Sequence, residues 1–370
     1  MGYTSPFPHS APEAQGIPSG AIVAFVEAVE REIDAVHSFI LLRHGQVVAE
    51  SWWEPYRPTD QHMLFSLSKS FTSSAIGMLV AEGRLSVDDP VLQFFPEEAP
   101  AEPSDNWRAM RVRHLLSMST GHAIDTTAPM TDPAHGSWVR GVLAQPVEYA
   151  PGTHFLYNSG ATYLLSAIVQ KLTGGRMIDY LRPRLFEPLG IANPRWDTSP
   201  QGIDAGGWGL WLTTADIAAF GQLYLQKGSG RAGCDRRGLG RGGDGVPGAE
   251  RPRREHRAGT GLLLPVLALP PQRLSRRRGV RPMCVVLPDQ DAVLAITSGL
   301  RDMQPPLNLV WEHLLPRWAT RRSRRSDRAG ARGGAQQATT AHAAGRSATR
   351  DGGPGIGQAV RYGRECAAHR

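Results

Sequence analysis

A serine followed three residues later by a lysine, Ser66 and Lys69, lies in the segment Phe65-Ser66-Leu67-Ser68-Lys69-Ser70-Phe71-Thr72. The run that follows, Ala75 to Glu82, is mostly apolar and ends at Gly83, which reads as a helix closed by a glycine cap. On a helix, residues i and i+3 share a face, so Lys69 is placed to reach the Ser66 hydroxyl. A serine at a helix start also sits in the positive end of the helix dipole, which favours a developing alkoxide. Serine is a weak nucleophile until a base takes its proton. Lysine can do this only when its environment favours the neutral amine, and arginine cannot do it at all. The chain holds only three lysines, Lys69, Lys171 and Lys227, among 41 basic residues, yet one stands at this spacing. Ser-x-x-Lys also arises by chance, so the motif needs support from the rest of the chain.

Further along, a Pro-Gly turn and a short extended piece, Ala150 to Leu156, deliver Tyr157-Asn158-Ser159-Gly160 to the start of an apolar helix. Tyr157 and Ser159 stand out by that position, although a tyrosine at such a junction is commonly a packing residue. Gly206-Gly207, ahead of Trp208 to Asp216, reads either as a wall allowing close backbone approach or as a tight turn before a capped helix. His114 and His122 suggest a base or a metal ligand, but capping or packing is the better reading of each. Cys234, Cys284 and Cys366 have no metal-ligand spacing and no disulfide framework, so neither metal nor cofactor is expected.

The elements that must position these residues follow from periodicity. Ile22, Phe25, Val26, Val29 and Ile33 predict a helix over Ala21 to Val36. Ser38 to Arg43 and Gln46 to Trp53 read as strands joined by His44-Gly45. Short helical pieces are expected at Arg113 to Gly121, Ala161 to Leu172 and, interrupted by Pro183, Met177 to Phe186. Thr213 to Asp216 has the spacing of a capping box for a helix over Ile217 to Gln226. Met283 to Pro288 and Ala292 to Ser298 form a second strand pair, and Leu307 to Leu315 a last helix.

Composition divides the chain. Residues 229–283 hold 13 arginines against 4 acidic residues, and residues 317–370 hold 12 against 3. The remainder carries 16 basic and 27 acidic residues, so the body is acidic despite a net charge of +7. The basic balance is therefore no argument for a nucleic-acid partner. The run Arg321-Arg322-Ser323-Arg324-Arg325 has no interleaved aromatic residue and no recognition module around it. No apolar stretch is long enough to span a membrane, and Met1 to Pro8 does not look like a signal peptide, so a cytoplasmic protein is expected.

With Ser66-x-x-Lys69, Tyr157-Asn158-Ser159 and Gly206-Gly207 in order, the chain resembles the β-lactamase-related serine hydrolases. That family includes class C β-lactamases, D-alanyl-D-alanine carboxypeptidases, family VIII esterases and 6-aminohexanoate-dimer hydrolases. The resemblance covers Ala11 to Gly228 and Met283 to Pro316. It implies an α/β (α+β) fold: an antiparallel sheet flanked by helices, with an inserted helical subdomain and the site between them. It implies that Ser66 attacks a carbonyl, that Lys69 helps take its proton, and that Tyr157 is general base in acylation. It places Ser159, Gly206 and Gly207 at the substrate. Where this family often has asparagine the chain has Ser159, which is closer to the esterase and amide-hydrolase branch than to true β-lactamases. The expected partner is a small ester or amide, with a β-lactam as a further option.

The resemblance also calls for a strand before Met283 bearing a glycine motif, which supplies a second oxyanion-hole N–H. Leu262 to Pro271 and Arg276 to Gly279 do not supply it. Residues 231–282 read as a tract translated out of frame: shifting GC-rich codons by one base lets Gly261 to Pro282 spell a strand pair with a glycine motif that runs into Cys284. Residues 317–370 read as a low-complexity, disordered tail. If the chain is genuine as written, the rival reading is a catalytically impaired relative that only binds its ligand.

Overall fold

The computed structural model describes residues 5–228, 282–300 and 302–318. Its centre is an antiparallel sheet of order β2-β1-β7-β6. β1 (Val36–Arg43) and β2 (Gln46–Trp52) form a hairpin, and β6 (Met283–Leu287) and β7 (Ala292–Ser298) form another. His44 and Gly45 both have positive φ, 50° and 73°, the two-residue turn whose twist suits a hairpin. β1 pairs with β7 from Val36↔Ser298 to Arg43↔Ala292, so the strands from opposite ends of the described chain lie side by side.

β1 and β7 are buried along their whole length, and alternation decides which layer each residue enters. Phe39, Leu41, Leu294 and Ile296 face one apolar layer with Ile22, Phe25 and Val29 of α1 (Ser19–Glu32) and with Val310 and Leu314. Ile40, Leu42, Val293 and Ala295 face the larger layer behind the site. α1 ends before the Val36 expected from periodicity, because Ile33 turns extended and Val36 is taken by the sheet.

From this sheet the chain runs into α2 (Ser68–Ala81), then into the helical insert: α3 (Asp105–Ala109), α4 (Val112–Leu116), α5 (Thr127–Met130), α6 (Trp138–Leu143), α7 (Ser159–Thr173) and α8 (Met177–Leu181). α4 stops at Ser117, short of the expected Gly121, which serves a later turn with φ 86°. α9 (Thr214–Leu225) opens with the expected capping box: the Asp216 N–H donates to Thr213 Oγ1 at 3.2 Å, and the Thr213 N–H donates to Asp216 Oδ2 at 3.0 Å. α9 lies directly on the sheet through Gly221, where a Cβ would come within 2.5 Å of Cys284 Sγ. Phe71 of α2 stacks on Phe220 of α9 at 3.7 Å, fixing α2 behind the sheet.

A small second sheet, of order β3-β5-β4, was not anticipated from sequence: β3 (His62–Met63), β4 (Arg195–Trp196) and β5 (Leu210–Leu212) are too short to show periodicity. After β7 comes α10 (Gln304–Leu309), continuing through a π turn and a 3-10 turn to Arg317. Trp318 is buried beneath the Arg43 guanidinium, so the packed unit runs slightly past the expected start of the tail. Residues 319–370 and the 231–281 part of the arginine-rich tract lie outside the described residues.

Candidate active site

Ser66 stands on a single 3-10 turn, Phe65–Leu67, that leads into α2 rather than within the helix itself. Phe65 takes φ 43°, a left-handed conformation that costs a non-glycine residue about 1–2 kcal/mol. The turn is held from both sides by β5. The Leu64 N–H donates to Leu210 O at 2.7 Å, and the Leu210 N–H donates to Ser68 Oγ at 3.3 Å. Ser66 is exposed, and among the described residues its hydroxyl has no hydrogen-bond partner. Its N–H lies in a first helical turn, where backbone donors lack intrahelical acceptors.

Lys69 is buried at the same face. Its Nζ donates to Gly207 O at 2.7 Å and to Ser159 Oγ at 3.1 Å, and it lies 4.9 Å from the centre of the Tyr157 ring. Among the described residues no carboxylate forms an ion pair with it. The structure thus brings Lys69, Tyr157, Ser159 and Gly207 together, with Ser66 three residues upstream.

Asn158, which the sequence reading passed over, sets Tyr157 and Ser159 in place. It is fully buried and is the N-cap of α7, its Oδ1 accepting from the N–H groups of Gly160 (3.0 Å) and Ala161 (3.4 Å). Thr126 Oγ1 donates to the same oxygen at 2.8 Å. Asparagine before Ser-Gly and an apolar helix is a capping signature that was present in the sequence. Beyond it, the Ser159 N–H donates to Asp125 Oδ1 at 3.2 Å, an acceptor that no local pattern marks.

Ser159 and Gly207, the residues expected at the substrate, both accept hydrogen bonds from Lys69 Nζ. Gly206 has φ 67°, and a Cβ on it would stand 2.9 Å from Thr162 O. Thr72 Oγ1 donates to Gly206 O at 2.9 Å, pinning this turn to α2 one helical turn beyond Lys69. The turn is anchored upstream by Asp204, which is fully buried, pairs with Arg176 and accepts the Ile178 N–H at 2.8 Å. Burial pushes the Asp204 carboxyl up, against the lowering effect of the Ile178 N–H and Arg176.

The two histidines take structural places. His114 Nδ1 accepts the Arg111 N–H at 3.1 Å as half of a capping box. His122 is buried against Trp107 and Thr120, and burial lowers its pKa to about 4. Among the described residues no group of three His, Cys, Asp or Glu side chains could hold a metal ion, and no helix is long and apolar enough to cross a membrane.

A family model for Beta-lactamase matches residues 26–298, so the chain belongs to the Beta-lactamase family. It is 29% identical over 210 residues to the 6-aminohexanoate-dimer hydrolase of Paenarthrobacter ureafaciens, covering 52% of this chain and 52% of that protein. It is 25% identical over 167 residues to the lovastatin esterase of Penicillium rubens, covering 39% of this chain and 41% of that protein. The chain thus spans about half the length of the curated relatives it matches. The D-amino acid amidase structure from Ochrobactrum anthropi SV3 superposes with a TM-score of 0.54 at 18% identity, over 79% of this chain and 99% of that one, which establishes the shared fold.

Proposed function

We propose that the protein is a serine hydrolase that cleaves a small ester or amide through an acyl-enzyme on Ser66. The observation that carries this reading is the convergence of Lys69 Nζ on Ser159 Oγ, Gly207 O and the Tyr157 ring, three residues after an exposed serine whose hydroxyl has no hydrogen-bond partner among the described residues. Ser66 Oγ attacks the substrate carbonyl, and its proton passes to the Tyr157–Lys69 pair. That pair returns the proton to the departing alcohol or amine. Water then enters, gives up a proton by the same route, and releases the acid. The Ser66 N–H serves as one donor to the oxyanion. The named activities of the relatives, a dimer hydrolase and an esterase, support the choice of esters and amides.

Purified protein treated with a fluorophosphonate should gain one adduct at Ser66, read by intact mass and peptide mapping. Ser66→Ala should abolish it. Lys69→Arg should slow it by about 10²–10⁴, since a guanidinium cannot accept the proton. A folded protein that takes no label, or a label unchanged in Ser66→Ala, sinks the reading.

A further inference from the structure

We infer that Met118, which lies in none of the site motifs, is the residue that positions Tyr157. Two bonds carry the inference. The Leu156 N–H donates to Met118 O at 2.9 Å, and the Asn158 N–H donates to Met118 Sδ at 3.3 Å. Both peptide neighbours of Tyr157 are therefore tied to one methionine, through its main chain on one side and its side chain on the other. Met118 reaches both because its own backbone is left-handed, φ 55°, which turns the chain after α4 back toward the extended segment. The flanking residues hold that turn: the Ser119 N–H donates to His114 O at 3.0 Å, and the Gly152 N–H donates to Ser119 O at 2.7 Å.

The sulfur contact is the one a side-chain change can remove. Asn158 is fully buried, so its N–H has no water to turn to when the thioether is lost. The Tyr157–Asn158 peptide then rotates to find another acceptor, and the tyrosine ring leaves its place over Lys69. The inference rests on the proposed hydrolase reading, because it assigns Met118 its effect through Tyr157.

The test is the rate of fluorophosphonate labelling at Ser66 across pH, together with kcat and KM on a p-nitrophenyl ester, for wild type, Met118→Leu and Met118→Gln. Leucine keeps the volume and removes the acceptor, whereas glutamine offers an amide oxygen at similar reach. Met118→Leu should lose about tenfold or more in labelling rate and kcat, with KM within twofold and an altered pH profile. Met118→Gln should recover most of the loss. Should Met118→Leu not fold, Met118→Ala makes the same deletion without the branched side chain. Wild-type rates in Met118→Leu, or a Met118→Gln variant as slow as the leucine variant, overturn the inference. A folded wild type that takes no label overturns the parent reading and this inference with it, an outcome distinct from a labelled wild type indifferent to Met118.

Discussion

Lys69 Nζ lies 2.7 Å from the carbonyl oxygen of Gly207, and a β-carbon added to Gly207 would stand 3.4 Å from that same nitrogen. The glycine both accepts the lysine's hydrogen bond and leaves the room it occupies. The same β-carbon would meet Ser159 O and Cβ at 3.2 Å, so Gly207 packs on the second residue that holds the lysine.

Gly207→Ala should therefore move Lys69 without unfolding the protein. An ordinary hydrogen bond contributes about 0.5–1.5 kcal/mol, and weakening it should lower the Ser66 labelling rate by about 2–10-fold. Gly206→Ala is the contrast. Its φ of 67° and a 2.9 Å approach to Thr162 O make alanine costly to the fold itself. Thermal melts and labelling rates should separate the two, with Gly207→Ala near wild-type Tm and slow, and Gly206→Ala low in Tm. Equal loss of Tm in both would show that Gly207 acts on the fold rather than on Lys69.

Arg176 should matter to stability out of proportion to its surface position. Its partner Asp204 is fully buried and leads into the Ala205–Gly207 turn. Arg176→Met leaves a buried carboxylate with the Ile178 N–H as its remaining hydrogen-bond partner. Losing one member of such a pair costs about 3–5 kcal/mol, and the partial exposure of Arg176 puts this case near the low end. Urea unfolding should show it. The double variant Arg176→Met/Asp204→Asn should recover part of the loss, because the stranded charge is gone. A single-variant effect below about 1 kcal/mol would contradict this account.

Acid should weaken the fold through buried histidines. Burial and the neighbouring His62 lower His37 to about 4, and burial lowers His122 to about 4. His62, which faces His37 with the two Nδ1 atoms 3.5 Å apart, is also lowered by burial. Asp60 near His62 and Glu148 near His122 pull the other way, but less than burial does. In the unfolded chain these rings protonate near their ordinary value of about 6.5. Between about 6.5 and 4 the unfolded state therefore binds more protons than the folded one. Stability is full above pH 6.5 and falls as pH drops toward 4. Urea midpoints should decline over that window, and His122→Gln should flatten the decline. An unchanged slope in that variant would exclude His122 as a source.

The sequence displayed the sheet well because β1, β2, β6 and β7 carry their own signal in apolar alternation and turn residues. Ser66, Lys69 and Tyr157 stand out as candidates because side-chain chemistry at fixed spacing is local information. The sequence hid what holds them. Gly207 acts through a carbonyl, which any residue type possesses, and its partner Lys69 is 138 residues away. Met118 and Asp125 contact the tyrosine segment across gaps of 40 and 34 residues, distances that periodicity does not bridge. Asn158 is legible as a cap, because an asparagine ahead of an apolar helix is a local signal.

The arginine-rich tract carries a prediction about the gene. Among the described residues the central sheet ends at β6, which pairs with β7 alone. The family resemblance calls for a glycine-bearing strand immediately before Met283, and residues 229–283 instead hold 13 arginines in a chain whose remaining body is acidic. A one-base shift near codon 231, restored near codon 282, would account for both the arginine excess and the abrupt return of strand pattern at Met283. An independent nucleotide read across this region should find that pair of shifts. The frame-corrected protein should then acylate at Ser66 faster than the chain as written, by about 10²–10³, the usual worth of one oxyanion-hole donor. A read that reproduces the sequence, or a corrected protein no faster than the original, overturns the frame-shift account and favours the impaired, ligand-binding reading of this chain.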